Sequence, residues 1–350
     1  MSGTITVHGQ RHYGNEPFTK KNLSLQITLP PGLQKNNFRI AGAIESVVLP
    51  NGANQISLSG FAMNASVVAL GMVDGVTMQV QVYNLPYDIM AMLAGYGNKG
   101  VFVFDSSDSA AGGSGGIDIE LFASERTTAT AQTDADFRKT AASRVFYGTL
   151  LAAEADFSST PTPSLTIIAN TLHASRLTVA EPISIKGEAK AADLFAELAK
   201  KMGLTFENNG VDAVVNDPYY AGSLWDQVRE LCEDIACDYI VDNGVLAVCA
   251  AGVARDGAVS TVSSRNGLIG YPSFDGSGIV FRTIYRPNFQ YLGPVNVKSD
   301  FPNATGAYRI YYIAHHLSCQ MPGGPWETEI KASFQGAPAG ETYVPPEGND

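Results

Sequence analysis

The C-terminal third of this 350-residue chain is cut into short apolar runs by closely spaced turn residues, which leaves little room for long helices. It opens with Gly267-Leu268-Ile269-Gly270-Tyr271-Pro272. Ile279–Tyr285 and the shorter Val295–Lys298 then read as strands. Arg309–Leu317 and Trp326–Phe334 follow as a pair joined by Pro322-Gly323-Gly324-Pro325. β-branched and aromatic residues dominate these runs, and such residues fit a pleated, half-buried surface.

The first half carries the same period. Leu23-Ser24-Leu25-Gln26-Ile27-Thr28-Leu29 and Thr77-Met78-Gln79-Val80-Gln81-Val82-Tyr83 alternate apolar with polar residues, the pattern of a strand with one face in a core. Further strands are expected at Phe38–Ile44, Val101–Phe104, Ile117–Phe122, Val145–Leu150 and Leu165–Ala169. A short helix is expected at Tyr87–Leu93, stopped by Gly95. Ser106–Gly116 is rich in Ser, Gly and Ala and reads as a flexible loop. Residues 126–141 fit either a loop or a short exposed helix.

From Ile183 the character changes. Ala191–Met202 places Leu194, Leu198 and Met202 on one helical face, with Gly203 as its stop. Ser223, with Asp226 three residues on, forms a capping box for a second helix, whose buried stripe is Leu224, Val228, Leu231 and Ile235. Strands are expected at Ile183–Ile185, Leu204–Phe206, Ala213–Val215, Tyr239–Val241 and Val245–Val248, the last two joined by a hairpin turn at Asp242-Asn243-Gly244. The order βαββαββ describes a compact α+β module.

Charge narrows the function classes. The net charge is −11, with charged residues only 16% of the chain. Residues 181–245 hold thirteen acidic and five basic groups, so the acidity belongs to the α+β segment. A nucleic-acid-binding surface needs a clustered basic patch, which this chain lacks. The low charge fraction fits either a surface covered by partner subunits or an ordinary Ser/Thr/Asn/Gly surface. Four cysteines, Cys232, Cys237, Cys249 and Cys319, read as buried thiols suited to synthesis in a reducing cytosol. Cys232 and Cys237 are expected on one helix, facing different sides, and do not have a zinc spacing. The N-terminus lacks the layout of a signal peptide, and no stretch reaches the roughly 20 apolar residues of a membrane span. A soluble protein without a recognisable leader or membrane anchor is expected.

No catalytic, cofactor-binding or metal-binding residue emerges, and no cofactor is expected. His315 and His316 are neighbours on a strand and point to opposite faces. His8 and His12 flank a turn without an acidic or thiol cluster nearby, and His173 stands apart. Glu230, Glu233 and Asp234 fall on an exposed helix face, whereas a glycosidase needs two carboxylates across a cleft. Asp134 and Asp136 lie in a Thr/Ala-rich stretch. Glu327 and Glu329 share one strand face, a candidate subunit contact. Gly112-Gly113-Ser114-Gly115-Gly116 precedes a strand rather than the helix a nucleophile elbow requires. Tyr285, Tyr291, Tyr308, Tyr311 and Tyr312 crowd the C-terminal strands, where tyrosine serves either a β core or a subunit interface.

An internal echo runs through the chain. Arg144-Val145-Phe146-Tyr147 leads through a strand and a Pro-containing turn to Leu165–Ala169. Arg309-Ile310-Tyr311-Tyr312 leads the same way to Thr328–Ala332. Duplication and coincidence both remain open on these letters.

The order of elements in the C-terminal series resembles the end of tail hub (baseplate hub) proteins of tailed bacteriophages. So does Met78–Leu85 followed by the helix through Ile89–Leu93 and then Phe146-Tyr147-Gly148-Thr149. The resemblance implies a mainly β fold: two tail-tube-like β-barrel modules with a small α+β insert. Its implied boundaries are a first tube-like domain at 1–177, the insert at 178–254, a second tube-like domain at 255–337 and an extended tail at 338–350. It implies a structural hub rather than an enzyme: a homotrimer whose six modules form a pseudo-sixfold ring around the DNA channel. Expected partners are the hexameric tail tube protein, a trimeric central spike or needle, the tape measure protein and other baseplate proteins, with DNA only in transit. The expected location is the virion, after assembly in the bacterial host cytoplasm. Two rivals are a tail-associated cell-wall hydrolase and a glycan-binding or envelope-ring protein.

Overall fold

The computed structural model describes residues 3–8, 20–29, 53–71, 74–94, 116–126, 142–158 and 162–334. The strands expected at Phe38–Ile44 and Val101–Phe104 lie outside these residues, as do nearly all of the Ser106–Gly116 loop, the 126–141 stretch beyond Arg126, His12 and the tail from 338. The described residues form two compact units. One draws on Met1–Val67, Thr77–Ala174 and Leu317–Pro325, the other on Val68–Val76, Ser175–His316 and Trp326–Asp350.

The first unit is a sheet. Its elements are β1 (Gly3–His8), β2 (Lys20–Thr28), β3 (Ala53–Ser59), β4 (Met63–Gly71), β5 (Gly75–Tyr83), α1 (Tyr87–Leu93), β6 (Asp118–Arg126), β7 (Ser143–Asp156) and β8 (Ser164–Asn170). The strand order is β1-β3-β2-β6-β7-β8-β5-β4. Registers show why the alternating sequences fold this way. Leu25 faces Leu58 on one side and Leu121 on the other, and Leu121 faces Phe146. All four are buried, and each buried side chain of this kind contributes about 1.5–3 kcal/mol. One residue along, Gln26 faces Glu120, which faces Tyr147. A register slip of one residue would send the leucines to water and the carboxylate inward, so the pattern fixes the pairing. Helix α1 packs on β7 and buries Met90 and Leu93.

The second unit continues the chain. It contains most of α2 (His173–Leu177), followed by β9 (Ile183–Ser184), β10 (Glu188–Lys190), α3 (Ala191–Lys201), β11 (Thr205–Asn209), β12 (Val214–Asn216), β13 (Tyr219–Tyr220), α4 (Leu224–Ile235), β14 (Asp238–Asp242) and β15 (Val245–Cys249). The expected α+β segment is present, with β10 and β13 added to the expected strands. Strands β11, β15 and β14 form a three-stranded sheet, parallel between β11 and β15 and antiparallel between β15 and β14. Asn243 and Gly244 both take positive φ, 50° and 79°, as the expected two-residue hairpin turn requires. The capping box of α4 forms: Ser223 Oγ accepts from the Asp226 amide at 3.1 Å, and the Ser223 amide donates to Asp226 Oδ2 at 3.1 Å. Leu224, Val228 and Leu231 are buried as expected, joined by Trp225, Gln227 and Cys232, while Ile235 is only half-buried. Trp225 stacks at a tilt on Tyr239 and Phe195 on Phe206, holding both helices to the sheet.

The chain then returns to β: β16 (Ser260–Ser263), β17 (Leu268–Asp275), β18 (Gly278–Ile284), β19 (Pro294–Lys298), β20 (Gly306–Cys319) and β21 (Trp326–Phe334). Five of these strands follow the order β19-β20-β21-β18-β17, and in the first unit β6-β7-β8-β5-β4 follows the same order. The correspondence extends to direction, since β6–β7 and β19–β20 are antiparallel, as are β8–β5 and β21–β18. It extends to length, since β7 and β20 each run 14 residues. The echo between Arg144–Tyr147 and Arg309–Tyr312 therefore marks equivalent strands, and the mainly β reading with a small α+β insert holds.

Gly148 on β7 makes a specific prediction. A Cβ there would lie 2.8 Å from the Asn170 carbonyl oxygen and 2.7 Å from the Phe146 ring. Gly148→Ala is expected to destabilise the protein by about 1–3 kcal/mol through this overpacking, read as a lower denaturant midpoint with an unchanged slope.

Candidate assembly site

Within the second unit, the α+β segment is fastened by buried charges. Arg309 on β20 donates to Asp238, the first residue of β14, at 2.6 Å. Arg309 is 1% exposed. Strand alternation puts Tyr308 and Ile310 on one face of β20 and Arg309 on the other, yet all three are buried, because this end of the strand is covered on both faces. Nearby, Arg255 grips Glu207 on β11 with two hydrogen bonds, Nε at 3.0 Å and Nη2 at 2.8 Å, and lies 3.9 Å from Asp242. Its backbone amide donates to the Leu292 carbonyl at 2.9 Å. The Arg255 hydrogen bond holds the Glu207 carboxyl below its usual range, against the opposing effect of burial. Forked arginine–carboxylate pairing fixes direction as well as distance, so these two clusters set how β11 and β14 meet the strands that follow.

Removing one partner of a buried pair leaves the other charge desolvated, at a cost of about 3–5 kcal/mol. Asp238→Ala is expected to destabilise by that amount. Asp238→Leu with Arg309→Met should recover much of it, as a thermodynamic cycle from denaturant melts will show.

The residues weighed for chemistry do not converge. His315 and His316 do point to opposite faces: His315 is buried, with Nδ1 2.9 Å from Thr328 Oγ1 and its ring edge-on to Tyr285, while His316 is half-buried. Glu233 and Asp234 are exposed on α4 and Glu230 is half-buried; Glu233 faces Arg229 at 3.8 Å, and Asp234 accepts from Tyr220 Oη at 2.8 Å. Glu327 and Glu329 share a half-buried face of β21, with Glu327 3.4 Å from Arg282. Among the described residues, no cluster of three or more His, Cys, Asp and Glu side chains could hold a metal ion. Tyr285, Tyr291 and Tyr308 are core residues, and Tyr311 and Tyr312 are half-buried.

One cysteine placement differs from the sequence expectation. All four thiols are free and buried, but Cys237 is not on the helix. Ala236 takes a left-handed conformation as the C-cap, turning the chain so that the Cys237 amide donates to the Cys232 carbonyl at 3.1 Å. The two thiols then face each other, and burial, followed by the hydrogen bond to Cys237, pushes the Cys232 thiol up.

Burial, with a lesser effect of His316, pushes the His315 pKa down to about 3 from 6.5. Between those values the unfolded chain binds a proton that the folded chain does not, so stability falls as pH drops from about 6.5 toward 3. His315→Gln is expected to flatten that part of the pH–stability curve. Asp118 acts in the opposite sense. Burial, then the charge of Glu120, raises its pKa to about 6. The folded state is therefore penalised as pH rises through that value. Asp118→Asn is expected to raise the melting temperature at pH 7 and to lose that advantage near pH 4.

Each five-strand set also presents a polar face. In the first it carries Glu120 and Tyr147, continued by Gln26 and Thr28 on the neighbouring β2, with Arg144 Nη1 3.0 Å from Glu120 and its guanidinium 5.3 Å above the Tyr147 ring. In the second it carries Arg282, Glu327, Glu329 and Lys331, with Lys331 5.1 Å above the Tyr312 ring. Among the described residues, no helix is long and apolar enough to cross a membrane.

These features define a class: a mainly β protein with a repeated strand set and an ion-paired α+β insert. The family model for baseplate hub gp41 matches residues 125–321, and the chain belongs to that family, a structural component of the phage tail baseplate. Solved structures share the fold. The tail protein from Neisseria meningitidis MC58 matches with a TM-score of 0.54 at 10% identity, over 91% of this chain and 98% of that one. The 43 kDa tail protein of prophage MuSo2 from Shewanella oneidensis matches with a TM-score of 0.53 at 8% identity, over 90% and 97%. A chain of the Francisella PdpA–VgrG complex matches with a TM-score of 0.50 at 8% identity, over 96% of this chain and 61% of that one. No curated protein matches the chain at a significant level.

Proposed function

We propose that this baseplate hub protein works as a homotrimeric ring in the virion, joining the hexameric tail tube to a trimeric central spike and surrounding the DNA channel. The observation that carries this reading is the repeat of five strands in one order and one set of directions. Two equivalent modules per chain let three copies present six similar faces, which is how a threefold ring meets a sixfold tube. Each module is a tube-like barrel, at 1–177 and 255–337, with the α+β insert at 178–254 between them and a C-terminal tail at 338–350.

The polar faces suit a channel wall. Gln26, Thr28 and Glu120 offer DNA hydrogen-bonding groups without a basic cluster, so a passing duplex would not be held. The tape measure protein fills the channel before ejection, and other baseplate proteins bind outside. The function is mechanical, without catalysis, cofactor or metal.

Native mass spectrometry of the purified full chain, with electron microscopy of the particle, tests this. A trimer with threefold symmetry and a central pore is expected. A chain that stays monomeric at high concentration would overturn the reading. Release of soluble fragments from purified peptidoglycan would favour a cell-wall hydrolase instead, and none is expected.

A further inference from the structure

The repeat predicts a specific joint between copies, an inference that rests on the ring reading above. Strand β4 has a neighbour on each side, β5 and β20. Its half Val68–Gly71 belongs to the second unit, together with Gly306–His316 of β20. Along β20, Ile313–His315 and Leu317–Cys319 are buried. In the repeat, β17 is the equivalent of β4 and β7 the equivalent of β20. Among the described residues neither has the matching neighbour. Strand β17 ends the sheet order, with β18 as its one neighbouring strand among the described residues. Strand β7 pairs with β6 only as far as Thr149, opposite Asp118.

Exposure follows this difference. On the open half of β7, Leu151 is 40% exposed, Glu154 is exposed, and Phe157 just beyond the strand is 53% exposed. On β17, Tyr271 is 75% and Phe274 49% exposed. An exposed aromatic pair flanks each edge: Tyr87 and Phe157, with centroids 6.2 Å apart, beside β7, and Phe274 and Phe301, 6.1 Å apart, beside β17. Proteins commonly guard open edges with lysine, proline or a bulge. Neither Leu268–Asp275 nor Leu150–Asp156 contains a basic residue. Pro272 falls inside the register shift between Ile269 and Ser273, which leaves Leu268–Ile269 and Ser273–Asp275 as ladder-forming ends.

The geometry points to a second copy of this chain as the occupant: β17 of one subunit adds to the open half of β7, around Leu151–Ala155, of the next. The contact repeats between copies what β4 and β20 make within one. Each copy offers one edge of each kind, so the joint is head-to-tail and closes only as a ring. Strand addition supplies the backbone hydrogen bonds, and the flanking aromatics supply apolar anchors.

Cysteine cross-linking of the full chain tests this. Chains carrying Tyr271→Cys or Phe274→Cys are mixed with chains carrying Leu151→Cys or Glu154→Cys, then oxidised with a dipyridyl disulfide. Covalent heterodimers are expected from mixtures, and covalent closed rings from chains carrying one substitution of each kind. Tyr271→Lys with Phe274→Lys should weaken assembly by at least about tenfold, read as the subunit concentration at which rings dissociate. If native mass shows rings but no pair cross-links between copies, this joint is wrong and the ring reading survives. A cross-linked monomer would mean that the chain covers its own edge, and it too overturns the joint. Failure to form any ring overturns both.

Discussion

Backbone hydrogen-bond ladders along β7 and β20 organise everything else in the fold. Each of these strands runs 14 residues, more than twice the common strand length of about 5–6. A strand that long changes partners along its length. Strand β7 pairs with β6 from Ser143 to Thr149 and with β8 from Thr149 to Asp156, and β20 meets β19 only through Gly306–Arg309. The handover is marked by irregular backbone, a register shift between Leu150 and Ala152 against β8. Bulges of this kind increase twist and bend a strand, allowing neighbouring strands to turn away instead of continuing a flat sheet. Strand β20 likewise has β19 beside its first residues and β21 as a further neighbour, so the repeat is defined by how its long strand is shared.

Side-chain chemistry is arranged around that frame. Inward positions are filled by aliphatic residues in register, and outward ones by Gln, Thr, Ser and occasional charges. The exceptions concentrate where the α+β segment meets β20. A buried ion pair is a weak source of net stability, because desolvation offsets much of the attraction. Arg309 and Asp238, and Arg255 with Glu207, are better understood as setting position. The bonds of Arg309 to Asp238 and of Arg255 to Glu207 can form only in one relative placement of β11, β14 and β20, and they form even though Arg309 Nε and Nη1 and Arg255 Nη1 find no hydrogen-bond partner among the described residues. Cys249 is fully buried in this layer, and that burial is the chief cause that pushes its thiol up to about 11.

What the sequence revealed followed from local rules. The alternation of Leu23–Leu29 and Thr77–Tyr83, the Ser223–Asp226 box and the Asn243-Gly244 turn each act within a few residues, and all were legible. Strand β4 was missed because its inward positions include Ala65 and Ala69, small residues that give alternation little contrast. The short β13 depends on pairing with β9, since Tyr219-Tyr220 carries no pattern of its own. Arg309 was beyond reach for another reason. Its partner Asp238 is 71 residues away, and a lone arginine in a tyrosine-rich strand looks like an outward charge. Cys237 falls outside the helix because a left-handed Ala236 ends it at Ile235, where a glycine would have announced the stop.

The weak letter-level echo and the strong topological repeat have a common explanation. Strand sets with one shared pairing order need the same ladder, inward apolar positions and chain order, but none of these demands particular residues. Val, Ile, Leu, Phe and Met exchange freely at core positions at low cost, so similarity in sequence decays while the pairing survives. What does not decay in the same way is the environment of an edge. Within the chain, β20 is buried along Ile313–Cys319 except at His316, whereas its counterpart β7 keeps Leu151 and Glu154 exposed. The two strand sets thus share a pairing order while the exposure of their long strands follows the neighbours each one has among the described residues.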